Sequence, residues 1–380
     1  MANSTDFEIE RLRRAPDIEA ANLFAWDASD LLLLDEAADY QDLMGDDGVV
    51  VLGDAYGALS LGLAERYGVP RLRVYQDLST GEEALRNNAH RFQREVRFDQ
   101  LPLGEQLLSG ARLILLQLPR SLVELEELVQ NIALYAAPDA VLLAGGRIKH
   151  MTLAMNAVLG RYFSEVRAGL ARQKSRLLTA RVPLWPSDPL TFPQQRYLEE
   201  LDLQLCAHGA VFSGTTLDIG TRFLLEQVTP DRLPTRGTGI DLGCGSGVIA
   251  ATVARRSPEL KVIATDRSAA AVASAAATAQ ANGISLETLR DDAAASLPAF
   301  CADVVLLNPP FHAGAAVHSG VALRLFDAAA RLLKPGGQLW TVYNRHLSYR
   351  AALQRSVGST ELVAQNQKFV VTLSRSPGRE

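Results

Sequence analysis

Gly243, Gly245 and Gly247 follow an apolar strand-like segment, Gly239-Ile240-Asp241-Leu242, and precede a helical pattern from Val248 to Arg256. A strand, a tight glycine turn and a helix N-terminus let a ligand approach the backbone amides. Dinucleotide-binding sheets share this pattern, but two acids favour S-adenosylmethionine. Asp241 stands just before the glycines, where it can attract a sulfonium or an amino-acid ammonium rather than a pyrophosphate. Asp266 ends the next strand segment, KVIATD, where it can accept both ribose hydroxyls. Asp292, in Asp291-Asp292-Ala293 after a further strand, is a candidate for the adenine amino group; a solvated loop is the plain alternative. For the glycines, that alternative is an ordinary βα connection.

The most specific motif is Asn308-Pro309-Pro310-Phe311, at the end of a strand predicted over 303–307. Strand ends on the carboxyl side of parallel sheets face the ligand crevice. The Asn308 amide oxygen and the Pro309 carbonyl can accept hydrogen bonds from a planar –NH2 group and turn its lone pair toward an electrophilic methyl. Phe311 can stack on a flat base. No nucleophile or strong base accompanies the turn, and in-line methyl transfer to an amine needs chiefly positioning. The competing reading is a proline turn with a buried Phe. His312, His318 and His346 have no metal-ligand spacing, so no metal is expected; His312 reads as a surface histidine or a wall of the base pocket.

The elements that must hold these residues alternate between strand-length apolar runs and helical patterns from about residue 49 onward, the mark of an α/β fold with mainly parallel sheets. Ser268 is placed to cap a helix running to Asn282-Gly283. The pattern occurs twice. VVVLGDAYGALSLGLA (49–64) matches GIDLGCGSGVIAATVA (239–254), and LRVYQD, ending at Asp77, matches KVIATD. LILLQLPRS (113–121) matches VVLLNPPFH (304–312), and YAAPDAVLLAGGRIKH (135–150) matches RLLKPGGQLWTVYNRH (331–346). The first copy has Val51 and Ala55 where the second has Asp241 and Gly245, and Gln117-Leu118-Pro119-Arg120 where the second has the Asn308 turn. It therefore reads as a degenerate copy without a cofactor site. Pro183, Pro186, Pro189 and Pro193 mark the break between copies. The expected division is a degenerate domain over 1–175, a linker over 176–210 and a catalytic domain over 211–380.

With 380 residues, 48% hydrophobic and 21% charged, the chain is long enough for two globular domains and too apolar for wholesale disorder. No apolar run approaches the roughly 20 residues of a membrane-spanning helix, and the charged first thirty residues do not read as a secretory signal. Cys206, Cys244 and Cys301 are too few and too scattered for a disulfide framework, so the protein reads as cytoplasmic. The net charge of -5 argues against indiscriminate coating of nucleic acid. Residues 1–190 hold 20 basic and 27 acidic groups, and residues 191–380 hold 18 and 16, leaving the second half freer to meet a polyanion. Arg161, Arg167, Arg172, Lys174, Arg176 and Arg181 form a basic run that reads as a solvated helix face or a grip on RNA phosphates.

Taken together, these motifs resemble the bacterial ribosomal RNA guanine-N2 methyltransferases built of two tandem methyltransferase-like domains. The resemblance rests on AWDASDLLL (25–33), VFSGTTLDIGTRFLLE (211–226), DLGCGSGVIA (241–250), NPPFH (308–312), NRHL (344–347) and NQKFVV (366–371), and is stronger toward the large-subunit member. It implies two Rossmann-like, class I methyltransferase domains, the first degenerate and helping to hold RNA. It also implies methylation of a guanosine N2, in 23S rRNA, with S-adenosylmethionine as cofactor. The family glycines fall on Gly243, Gly245 and Gly247, the ribose acid on Asp266, and the catalytic turn on Asn308 to Phe311. Ribosomal RNA is the expected partner, with no membrane and a monomeric chain. Such turns also serve methylation of 16S rRNA guanine N2, adenine N6 or a protein glutamine amide. A silent RNA-binding or assembly factor and a nicotinamide oxidoreductase are the readings from other classes, against which the intact Asn308 turn and Asp241 respectively weigh.

Overall fold

Two similar sheets organise the chain. The computed structural model describes residues 7–45, 47–93, 96–185, 190–310 and 315–378. Contacts divide it into units Met1–Phe192 and Pro193–Glu380. The first unit runs α1 (Ala28–Ala37), β1 (Val49–Leu52), α2 (Ala58–Tyr67), β2 (Leu72–Tyr75), α3 (Ser79–Phe92), β3 (Phe98–Gln100), α4 (Glu105–Leu108), β4 (Leu113–Gln117), α5 (Leu122–Tyr135), β5 (Val141–Arg147), α6 (Leu153–Tyr162), β6 (Phe163–Ala168) and β7 (Ser175–Pro183). The second opens with a hairpin, β8 (Gln194–Leu198) and β9 (Leu203–Ala207). It continues through α7 (Ile219–Gln227), β10 (Gly237–Leu242), α8 (Val248–Arg256), β11 (Leu260–Asp266), α9 (Ala269–Ala281), β12 (Glu287–Arg290) and β13 (Ala302–Leu307). It closes with α10 (Ala315–Leu332), β14 (Leu333–Asn344), α11 (Arg350–Ser356), β15 (Ser359–Gln365) and β16 (Phe369–Arg375).

The strand orders are β3-β2-β1-β4-β5-β7-β6 and β12-β11-β10-β13-β14-β16-β15, so one topology is used twice. Five strands of each sheet are parallel and the last two pair antiparallel. Val49–Leu52 and Leu113–Leu116 are buried, as are Val304–Leu307, because helices cover both faces of each sheet. In each unit the order reverses beside the first strand, at β1/β4 and β10/β13. The connections leave there in opposite directions and open a crevice at the strands' carboxyl ends.

Register refines the internal repeat. Leu52 lies opposite Tyr75, and Leu242 opposite Thr265, so the residue matching Asp266 is Gln76 and not its neighbour Asp77. The basic run does not form one helix face either. Arg161 ends α6, Arg167 lies on β6, and Arg176 and Arg181 lie on β7. The turn between those strands passes through Gln173 and Lys174, both at positive φ, and Arg172 bridges to Ser175. Residues 175–183, at the start of the expected linker, are paired with both β5 and β6.

The β8–β9 hairpin lies against α9, whose Ser274, Thr278 and Asn282 form a polar stripe one turn apart. Asn282 Oδ1 accepts from Gln204 N (2.9 Å) while its Nδ2 donates to the Gln204 carbonyl (2.7 Å). Thr278 Oγ1 accepts from Cys206 N (3.0 Å) and donates to the Ser246 carbonyl in the glycine turn (2.9 Å). Ser274 Oγ accepts from His208 N (2.9 Å).

Candidate active site

The glycine turn joins β10 to α8, with Gly247 as a left-handed N-cap at φ 77°. A Cβ on Gly247 would stand 2.7 Å from Ala275 Cα, so this glycine lets α8 start flush against α9. A Cβ on Gly243 or Gly245 would meet nothing within 4 Å. Those two positions border open space.

Asp241 lies beneath this turn and is fully buried. Its Oδ2 accepts from Ala250 N in the first turn of α8 (3.0 Å), and its Oδ1 has no hydrogen-bond partner among the described residues. Burial raises its pKa to about 7, the Ala250 amide opposes the rise, and the nearby Asp266 charge adds to it. Asp266, half-buried at the end of β11, accepts from Gly245 N through Oδ2 (3.2 Å) and from Ser268 N through Oδ1 (3.0 Å). Ser268 caps α9 as expected, accepting from Ala271 N (3.0 Å). Asp292 follows β12, with both carboxylate oxygens against Arg324 Nη2 of α10, Oδ2 at 2.5 Å, a partner that spacing did not disclose. An orphaned buried acceptor oxygen, two glycines bordering open space and an acid at a strand end fit a cationic amino-acid nucleoside, whose ammonium and hydroxyls would donate.

Asn308 ends β13 beside this turn. Its Nδ2 donates to Thr221 Oγ1 (2.8 Å) and to Asp218 Oδ2 (3.2 Å), while its buried Oδ1 accepts nothing among the described residues. Asp218 is the N-cap of α7 and accepts from Thr221 N (3.0 Å). Pro309 is buried and Pro310 exposed; Phe311 and His312 lie outside the described residues. Asp218 and Thr221 were not singled out from sequence. The available signal was the Asp-x-x-Thr spacing ahead of an apolar run, an N-cap signature inside the 211–226 segment.

The first unit keeps this scaffold and closes it. Asp54, within the turn, accepts from Gly57 N (3.0 Å) and Ser60 N (2.7 Å), so a side chain of the protein fills the helix N-terminus. Gln117 stands at the position of Asn308, donating through Nε2 to Asp30, while the Ser29 hydroxyl reaches its Oε1 (3.2 Å). Asp30 is buried, and burial raises its pKa to about 7.

The two halves of the chain match different family models. The RLMG N-terminal domain model matches residues 2–184, and the Methyltransferase small domain model matches 202–373. A Streptomyces avermitilis protein named ribosomal RNA large subunit methyltransferase G is 37% identical, covering 95% of both chains. The chain belongs to the ribosomal RNA large subunit methyltransferase G family. A Pseudomonas aeruginosa member is 36% identical over 97% of this chain and 98% of its own. The fold of this family member is also that of a T. Thermophilus 16S rRNA N2 methyltransferase solved with AdoMet and guanosine. That structure superimposes with a TM-score of 0.73 at 21% identity, covering 92% of each chain. Among the described residues of this family member, no cluster of His, Cys, Asp and Glu fits a metal ion. No helix among them is long and apolar enough to cross a membrane.

Proposed function

We propose that the chain transfers a methyl group from S-adenosylmethionine to the exocyclic N2 of a guanosine in large-subunit ribosomal RNA, the 23S molecule. The observation that carries this reading is the unpartnered Oδ1 of Asn308 beside an open glycine turn, in a chain that matches the family from end to end. Bound S-adenosylmethionine supplies an electrophilic methyl on a sulfonium centre. Asp266 would hold its ribose hydroxyls, the Asp241 carboxylate would favour its cationic end, Gly243, Gly245 and Gly247 would admit it, and Asp292, already paired with Arg324, is the candidate for the adenine amino group. Asn308 Oδ1 and the Pro309 carbonyl accept the two N–H bonds of the guanine amine, which leaves the nitrogen lone pair directed at the methyl. Phe311, outside the described residues, is the expected stacking partner for the base. This is catalysis by orientation, and no residue of the turn acts as a strong base.

The first unit, with its own turn filled by Asp54, takes the RNA-holding role. The residues that support this are cations at the carboxyl ends of the paired strands β4 and β5: Arg120 follows β4, Arg147 ends β5 and Lys149 follows it. The cofactor-side and catalytic residues all lie in the second unit, consistent with a working monomer, and three unpaired cysteines suit the cytoplasm.

Full-length protein, S-adenosylmethionine and unmodified 23S rRNA should give N2-methylguanosine by nucleoside mass spectrometry. Methyl groups found on adenine or on protein would overturn the assignment. Replacing Arg120, Arg147 and Lys149 by alanine should weaken RNA binding and flatten its salt dependence by about one logarithmic slope unit for each phosphate no longer neutralised. Unchanged binding would remove the docking role.

A further inference from the structure

A side-chain amide catalyses by orientation only if its carbonyl end faces the substrate. Asn308 has two ends of nearly equal shape, and the peptide chain of β13 does not distinguish them. The distinction comes from α7. Both N–H bonds of Asn308 Nδ2 have acceptors there, Thr221 Oγ1 at 2.8 Å and Asp218 Oδ2 at 3.2 Å. A flipped amide would put its oxygen against the Asp218 carboxylate, a repulsive contact that the Thr221 hydroxyl could only partly offset by turning to donate, and would leave two unmet buried donors. The flip is thereby suppressed, and Oδ1 is left buried with no partner.

The internal repeat provides a comparison. Gln117 stands where Asn308 does, Asp27 where Asp218 does, and Asp30 where Thr221 does; each pair is separated by 191 positions. The amide is again held at its nitrogen end, by Asp30. The residue between the two holding positions differs. Ser29 Oγ lies against the carbonyl, 3.2 Å from Gln117 Oε1, and shares its one hydroxyl proton between that oxygen and Asp27 Oδ1 at 2.5 Å. Its counterpart is Gly220, which carries no hydroxyl, and the carbonyl of Asn308 remains open. A Cβ on Gly220 would stand 3.1 Å from Asp218 Oδ2 and 3.1 Å from the Phe369 ring, a tight but adjustable fit.

We propose that Asp218 and Thr221 are positioning residues for methyl transfer, fixing the Asn308 amide with its carbonyl toward the substrate amine, and that Gly220 keeps this carbonyl unoccupied. The proposal rests on the methyltransferase reading of the Asn308 turn. No bond forms or breaks at α7; its contribution is the orientation of an acceptor.

The test is methyl transfer by full-length protein to unmodified 23S rRNA, with S-adenosylmethionine affinity measured separately by calorimetry. Gly220→Ala supplies the Cβ alone and Gly220→Ser adds the hydroxyl. The serine variant should turn over at least tenfold more slowly than the alanine variant, with matched cofactor Kd and melting temperature. Should either Gly220 variant fail to fold, Thr221 provides the second arm. Thr221→Val should lower kcat at least tenfold at unchanged cofactor Kd, and Thr221→Ser should restore most of it. Equal kcat for the serine and alanine variants, or wild-type kcat in Thr221→Val, overturns the proposal while leaving the methyltransferase reading standing. A wild-type protein that neither binds S-adenosylmethionine nor transfers methyl overturns both.

Discussion

Asp241→Asn separates what this carboxylate does for the fold from what it does for the ligand. The charged form costs the unliganded protein stability, because a fully buried carboxylate has one oxygen on the Ala250 amide and the other unpartnered. Its pKa is raised from 3.8 to about 7. At roughly 1.4 kcal/mol per tenfold change in proton affinity, that gap sets a ceiling of about 4 kcal/mol on the cost. The direction follows from linkage. A raised acid binds more protons folded than unfolded, so its cost starts as pH climbs past 3.8 and is complete above about 7. By the same relation roughly 2 kcal/mol of it remains near pH 5.5. The asparagine keeps an acceptor for Ala250 but buries an amide nitrogen with no acceptor, which returns about 1–3 kcal/mol. The variant should therefore be about 1–3 kcal/mol more stable than the parent near pH 8, and nearly equal to it near pH 5.5. Urea denaturation at both pH values, followed through the buried Trp340 of the same unit, reads the difference. Asp30 and Glu124, both also raised to about 7 by burial, lie in the first unit and cancel between variant and parent. A stability difference that does not change with pH, or a variant less stable at pH 8, would refute the reasoning.

Four further variants have expected outcomes. Asp266→Ala should weaken S-adenosylmethionine binding by about 1.5–3 kcal/mol, measured by calorimetry on the folded variant, and unchanged affinity would remove its ribose role. Gly245→Val should cost the fold only about 1–2 kcal/mol of left-handed backbone strain yet abolish cofactor binding. Gly247→Val should cost about 2–5 kcal/mol through its clash with Ala275, so thermal melts distinguish the two glycines. Asn308→Ala should leave cofactor affinity nearly intact and lower single-turnover methyl transfer by about a hundredfold or more; normal turnover would disprove the catalytic role.

The parts of the site written in continuous stretches of chain were legible in the sequence. The strand, glycine turn and helix around 239–256, the Ser268 cap and the strand leading to Asn308 each depend on neighbours a few residues away. The fold class followed from the alternation of those pieces, and the degenerate first copy from its substitutions at Val51, Ala55 and Gln117. What escaped depends on pairing at long range. Asp77 and Gln76 are adjacent, and only the register of β1 on β2 decides which one matches Asp266. The β6–β7 hairpin was hidden because its turn places Gln173 and Lys174 at positive φ without a glycine or asparagine to announce it. Asp218 and Thr221 meet Asn308 across about ninety residues of sequence. The Asp54 side chain that fills the first unit's turn looks, in sequence, like any acid in a loop.

The polar stripe on α9 has a consequence for how copies of this protein behave together. A two-stranded hairpin leaves free strand edges, and a free edge is a template on which another chain can add a strand. At β9 that edge is occupied by side chains instead. The Asn282 amide takes the N–H and C=O of Gln204 as a neighbouring strand would, and Thr278 and Ser274 take the amides of Cys206 and His208. The same residues that tie the hairpin to the glycine turn thus close the β9 edge to a second strand. Removing the Asn282 and Thr278 side chains together would be felt first as a protein that aggregates at concentrations where its parent stays in solution.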